Sequence, residues 1–141
     1  MSNLVRRIIS TIKAPAPLGG APYNQAVVFN DVVYLSGVVG MNANTNKLVD
    51  GGAAAEAQQS LKNIGHILEA AGSSYANVLK STIMLRNIDD FGPVNEVYKQ
   101  FFKKDYPARS TFQVGKLPIN AAVEIEVIAA IGNIKTVTSK L

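Results

Sequence analysis

The chain has no cysteine and a single histidine, His66. Without cysteine there is no disulfide, no thiol nucleophile and no thiolate metal ligand, and nothing marks an oxidising compartment. One imidazole and no thiolate cannot assemble a zinc site. A Ser–His–Asp arrangement would depend on His66 alone, and no GxSxG elbow is present. No GxxxxGK[ST] or GxGxxG loop cradles a phosphate, so a nucleotide fold is excluded. No apolar run approaches the length of a membrane span. Clustered charge is also missing. Fourteen basic and ten acidic residues give +4, yet only Arg6-Arg7 and Lys103-Lys104 are adjacent basic pairs. A nucleic-acid surface shows a basic stripe interleaved with aromatics, so this charge reads as ordinary solvation and an RNA-binding role is not favoured.

What is present is apolar. The 141 residues suffice for one domain, 1–141, while 48% apolar against 17% charged residues is more than a small domain buries alone. That excess predicts a surface covered by another copy of the chain. The segment Met1–Ala14 carries Arg6, Arg7 and Lys13 and no acidic residue. It lacks the apolar core of a secretory signal, and two readings stand: a weak mitochondrial presequence, or a first strand over 5–12. The expected location is cytoplasmic, with the mitochondrial matrix as the alternative.

The periodicities predict the order β-β-β-α-β-α-β-β. After a Pro/Gly-rich connection over 14–22, strands at 26–29 and 32–38 flank Asn30-Asp31, two residues that tolerate left-handed backbone and predict a hairpin turn. Gly40–Gly52 reads as a polar loop. Ala57, Leu61, Ile64, Leu68 and Ala71 recur at steps of four and three, which predicts a helix over 53–71 stopped by Gly72. His66 lies nearly opposite that stripe and is expected to face solvent. A strand over 78–85 follows. Asp89 or Asp90 is expected to cap a second helix that accommodates Pro93 in its first turn and buries Val94, Val97, Tyr98, Phe101 and Phe102. Strands at 110–115 and 123–131 close the chain, the last with Val123, Ile125 and Val127 on one face and Glu124, Glu126 and Ile128 on the other. One mixed sheet with two helices on one face makes the fold class α+β.

The chain is organised around Tyr106–Val114. Pro107 forces a corner that ends the preceding helix, and Arg109 stands at the mouth of the next strand. An arginine there is either a bidentate receptor for a carboxylate or phosphate, or a solvated or salt-bridged surface residue. Glu124 and Glu126 are either a solvated face or carboxylates that orient and deprotonate water. Ser36 either meets a ligand or caps backbone, Tyr23 is core or pocket wall, and Asn95 is an amide in need of partners. Thr111 completes the polar set.

Five segments together resemble the RidA/YjgF family of imine deaminases. They are Ala21-Pro22-Tyr23-Asn24-Gln25-Ala26, then Tyr34-Leu35-Ser36-Gly37, then Asp89–Tyr98 with Phe101-Phe102, then Pro107-Ala108-Arg109-Ser110, and finally Leu117-Pro118 with Val123-Glu124-Ile125-Glu126. The resemblance covers nearly the whole chain and is in the style of animal members. It implies a chorismate-mutase-like fold and a homotrimeric barrel with a ligand cleft at each subunit interface. It implies hydrolysis of 2-imino acids, the tautomers of enamines such as 2-aminoacrylate, to 2-keto acids and ammonia, a metabolite-damage control role needing no metal or cofactor. Under it, Arg109 and Glu124 are catalytic: Arg109 holds the substrate carboxylate and Glu124 places the attacking water. Tyr23, Ser36, Asn95, Arg109 and Thr111 bind substrate. Thr111 stands where some members carry cysteine, and Ala21 replaces a common glycine. Two other readings stay behind the deaminase: a ribonuclease or translation-inhibiting RNA binder, and a non-catalytic ligand-binding or chaperone-like trimer.

Overall fold

A computed structural model describes residues 3–141. Met1 and Ser2, the start of the segment weighed as a presequence, lie outside the described residues. The main sheet runs β1-β2-β3-β9-β7-β8, from β1 (Arg6–Ile9), β2 (Ala26–Phe29), β3 (Val32–Leu35), β9 (Val123–Ala130), β7 (Val78–Leu85) and β8 (Ala108–Gln113). Among the described residues, only β7 and β8 pair in parallel, because helix α2 (Phe91–Phe101) carries the chain across between them. Helix α1 (Gly52–Ala71) and α2 pack together on one face of the sheet.

The alternation along β9 organises the layers. Val123, Ile125 and Val127 are buried beneath the helices, whereas Glu124, Glu126 and Ile128 point to the other face. The predicted α1 stripe is buried in full: Ala57, Leu61, Ile64, Leu68 and Ala71. Gly72 ends the helix in the left-handed region, its N–H returning to the Glu69 and Leu68 carbonyls. Asn30, at φ 54°, turns the β2–β3 hairpin as its neighbours predict.

Several boundaries differ from the sequence reading for identifiable reasons. The first strand stops at Ile9 rather than 12, because the Thr11 N–H leaves the ladder for the Gln25 side chain at 2.7 Å. The strand expected over 32–38 breaks at Ser36-Gly37 into β3 and β4 (Val38–Val39). Gly40–Gly52 is not a plain loop but holds a small hairpin, β5 (Met41–Asn42) and β6 (Lys47–Leu48), with Asn42 Oδ1 accepting from the Asn44 and Thr45 N–H groups. Neither Asp89 nor Asp90 caps α2 by its side chain; Asn87 accepts from the Asp89 N–H and organises the turn before it. The second helix ends at Phe101, ahead of the Pro107 corner, and the next strand spans 108–113 rather than 110–115. The last strand ends at Ala130, and His66 is half-buried rather than facing solvent.

Beside its apolar stripe, α1 carries buried polar residues that the sequence reading missed. Ser60 donates to the Val38 carbonyl at 2.7 Å, and Asn63 donates to the Met41 carbonyl at 2.8 Å. These bonds tie the helix to the interrupted strand. Gly40 is required there, since a Cβ would overlap the Glu56 backbone.

Leu61 is fully buried at the centre of this layer. Leu61→Ala should cost about 2–5 kcal/mol through lost burial and a residual cavity. Urea denaturation of the two proteins measures it, and a cost near zero would show that the helix–sheet layer is not the core.

Candidate functional site

The Pro/Gly-rich connection over 14–22 is shaped by one buried side chain. The Gln25 amide nitrogen reaches the carbonyls of Thr11, Ala14 and Pro15 at 2.9–3.2 Å, and its oxygen accepts from the Thr11 N–H. A buried amide so fully partnered holds an irregular loop that has no ladder of its own. The loop walls a cavity of about 470 Å³ with Pro15, Leu18 and Tyr23, closed across the strands by Ser36, Gly37 and Glu124. The Tyr23 hydroxyl accepts from the Leu18 N–H at 2.8 Å, which makes this ring a pocket wall rather than core. The Ser36 hydroxyl donates to the Asn24 carbonyl at 2.6 Å and lines the cavity, and as a hydroxyl it keeps lone pairs able to accept.

Glu124 explains the break at Gly37. A Cβ on Gly37 would collide with the Glu124 carboxylate. Glycine at that position lets the carboxylate sit beside the backbone at the cavity wall. Burial first, and then the negative charge of Glu126, push the Glu124 carboxyl above the ordinary 4.5. Glu126, two residues on, is exposed and lies instead in a separate hollow with Tyr34, Lys80 and Thr82. The two glutamates share a sheet face but not an environment.

Arg109 and Asn95 line a second cavity of about 300 Å³, with Tyr98, Lys99, Tyr106 and Pro107. The guanidinium lies 4.7 Å from the Tyr98 ring centroid and 5.7 Å from that of Phe91. Tyr98 is itself fixed by a 2.8 Å hydrogen bond with Ser81. Stacking of this kind orients the planar fork while leaving its N–H edge free. Arg109 takes part in neither of the two salt bridges among the described residues. Asn95 is half-buried at the cavity wall rather than enclosed. The Thr111 hydroxyl, two residues along β8, is buried and has no hydrogen-bond partner among the described residues. Such a group costs about 1–3 kcal/mol unless something arrives to meet it.

The register places these two halves on opposite faces of the sheet. Arg109 and Thr111 stand beside Ser81 and Ile83, which point to the helices; Glu124 stands beside Met84, which points the other way. Within one chain, Tyr23, Ser36 and Glu124 come together, Asn95 and Arg109 come together, and the two sets do not meet.

Glu56 is a residue that sequence reasoning passed over. It is 5% exposed, and both carboxylate oxygens accept from the Ala122 N–H, at 3.2 and 3.1 Å. The Arg86 guanidinium holds the neighbouring Asn120 carbonyl at 2.8 Å. Together they anchor the turn that launches β9 and sets the position of Glu124. Desolvation raises the Glu56 carboxyl above its ordinary value, against the lowering by the Ala122 N–H and Arg86. The signal was there: Glu56, Ser60 and Asn63 follow helical spacing next to the apolar stripe. Among the described residues, no group of three or more His, Cys, Asp or Glu side chains could hold a metal ion.

A free arginine fork stacked on an aromatic ring, and a half-buried carboxylate in an apolar cavity, define the class: a small α+β protein equipped to bind a carboxylate and move a proton. The pattern of the Endoribonuclease L-PSP family matches residues 11–131. The chain is 50% identical over 136 residues to the human 2-iminobutanoate/2-iminopropanoate deaminase, covering 96% of this chain and 98% of that one. It is 52% identical over 138 residues to the RutC family protein UK114 of Drosophila melanogaster, covering 98% and 99%. Among solved structures it resembles E. coli TdcF with bound serine, at 37% identity and a TM-score of 0.83 over 89% of this chain and 99% of that one. The chain belongs to the Endoribonuclease L-PSP family, the RidA/YjgF family that its motifs resemble.

The raised Glu124 carboxyl has a stability consequence whose sign is defined. Below the ordinary value of 4.5 it is protonated whether the chain is folded or unfolded, and no penalty exists. As pH rises past 4.5 the unfolded form ionises first, so the folded state loses stability until pH passes the raised folded value. Glu124→Gln should therefore be more stable than the parent near neutral pH and gain nothing below 4.5. Urea denaturation at the two pH values measures it; an equal gain at both would remove ionisation as the cause.

Proposed function

We propose that this protein hydrolyses reactive 2-imino acids, such as 2-iminobutanoate and 2-iminopropanoate, to 2-keto acids and ammonia, and so disposes of a damaging intermediate. The observation that carries the reading is the free, ring-stacked Arg109 fork, which is suited to a small carboxylate. Near-full-length identity to proteins named for this activity supports it. The electrophilic carbon of an imine needs orientation and a water, not a covalent nucleophile.

The chemistry follows from the side chains. Arg109 pairs with the substrate carboxylate through two N–H groups and fixes the C=N carbon. Glu124 accepts a proton from water as its oxygen bonds to that carbon, which gives a carbinolamine. The proton passes from Glu124 to the nitrogen. The C–N bond then breaks as Glu124 carries the hydroxyl proton to the leaving nitrogen, which releases ammonia and the keto acid and returns Glu124 to its carboxylate. A carboxyl raised toward the working pH is a better proton acceptor and donor than an ordinary one. Tyr23 and Ser36 wall the cavity beside Glu124, and Asn95 and Thr111 flank Arg109.

The opposite facing of the two halves supports a site shared between copies. One subunit offers the cavity with Glu124, and the next offers the β8–α2 edge with Arg109 and Thr111. The exposed apolar side chains of the open sheet face, Ile8, Phe29, Tyr34 and Phe112, favour the same assembly, a homotrimer. An occupant from the neighbouring side would also meet the orphaned Thr111 hydroxyl.

The test generates the imine in place with a threonine or serine dehydratase and follows keto-acid and ammonia release. Arg109→Ala should lower kcat/KM through loss of about 2–5 kcal/mol of carboxylate binding. Glu124→Gln should lower kcat by roughly a hundredfold or more. A wild type no faster than buffer would sink the reading.

A second prediction concerns the shared site. When Arg109→Ala and Glu124→Gln subunits are mixed and allowed to exchange, some interfaces carry both native residues and activity should return. Mixtures as inactive as the separate variants, with exchange verified by mass spectrometry, would place both residues in one subunit's site.

A further inference from the structure

The cavity beside Glu124 is larger than a three- or four-carbon acid requires. Its volume of about 470 Å³ lies within the range of pockets that enclose drug-sized ligands, about 300–1,000 Å³. Its two ends differ in character. At the outer end Tyr23 is exposed, and Ser36 and Glu124 are half-buried. At the inner end Val38, Val39, Met41 and Ile67 are all buried and all apolar.

The inner residues come from two layers. Val38 and Ile67 belong to the core beneath the helices, whereas Val39 and Met41 belong to a smaller apolar cluster with Leu117 and Ala121. A cavity touched both by Ile67 of α1 and by Glu124 on the opposite face crosses the sheet. It does so at the break between β3 and β4, where Ser36 and Gly37 line it. The polar groups near the inner end are already partnered. Ser60 donates to the Val38 carbonyl, Asn63 donates to those of Val39 and Met41, and the Gln25 amide is committed to Thr11, Ala14 and Pro15. That end therefore offers apolar contact and no spare hydrogen-bonding group.

A 2-imino acid divides in the same way, with its carboxylate and C=N group at one end and its side chain at the other. With the C=N carbon at Glu124, a one- or two-carbon side chain leaves the inner apolar surface uncovered. We propose that the inner end is a side-chain subsite formed by Val38, Met41 and Ile67, and that the preferred substrates are 2-imino acids with apolar side chains of about three or four carbons. The inference rests on the deaminase reading and names the substrate class within it. The unbranched Met41 side chain adapts to side chains of different length. A charged side chain of equal length is rejected, because no partner waits for it there.

The experiment makes a series of imines in place with an L-amino-acid oxidase, oxygen and catalase, from alanine, 2-aminobutyrate, norvaline, norleucine and glutamate. Enzymatic removal of each imine is followed by the loss of its capture by semicarbazide, with the rate in buffer subtracted. From the alanine to the norleucine imine, kcat/KM should rise about tenfold for each methylene. The glutamate imine should be no better a substrate than the alanine imine. Ile67→Phe, which fills the inner end from α1, should flatten the series. Ala21→Leu narrows the cavity from the surface loop and should flatten it too, so the test survives a failure of the Ile67 variant to fold. A wild type that removes imines with a flat or falling series, or a glutamate imine as good as that of norleucine, overturns the subsite and leaves the deaminase reading standing. So does a series that stays steep in folded Ala21→Leu. A wild type that removes no imine at all overturns both.

Discussion

The structure depends on the pairing of β9 with three different strands. It bonds to β3 along one stretch, to β4 along another, and to β7 over nearly its whole length on the other side. A strand so held cannot slip by one residue without exchanging its two faces. Val123, Ile125 and Val127 would leave the core, and Glu124 and Glu126 would enter it unpaired, at a cost no domain of this size could bear. The hydrophobic alternation of β9 therefore locks the register of the central sheet, and with it the position of Glu124.

The interruption at Ser36-Gly37 is the counterpart of that constraint. A continuous strand would cover Glu124 with a side chain. The glycine opens the backbone instead, and β4 resumes pairing with β9 one residue out of step with β3. The break leaves polar backbone that α1 repairs through Ser60 and Asn63, while Gln25 repairs the irregular loop on the other side of the cavity. Cavity, broken strand and buried amides are one arrangement. The polar side chains exist because the backbone was interrupted to make room for the carboxylate.

Much of this was legible from local pattern. The α1 stripe, the Gly72 stop, the Asn30 turn and the alternation of β9 each rest on neighbours a few residues apart, where periodicity is informative. Gln25, Glu56 and Asn63 were not legible in the same way. Their partners lie 10 to 66 residues away, at Pro15, Ala122 and Met41, and a polar residue on a helix reads as solvated until the chain that meets it is known. Arg109 is legible as an anion receptor from its place at a strand mouth, but the ring beside it, Tyr98, reads from periodicity only as part of the core stripe of α2.

The sequence by itself determined which segments are helix and strand, which faces are apolar, and which residues could bind a carboxylate or move a proton. Those properties follow from side-chain chemistry at spacings of two, three and four residues. Tertiary structure alone decided that Arg109 and Glu124 occupy opposite faces of the sheet. That outcome turns on β8 lying parallel to β7 while β9 lies antiparallel to it, and on the register of each pair. Pairing registers are set by the whole fold, because each strand finds its partner only after a helix crossover or a long return has been closed.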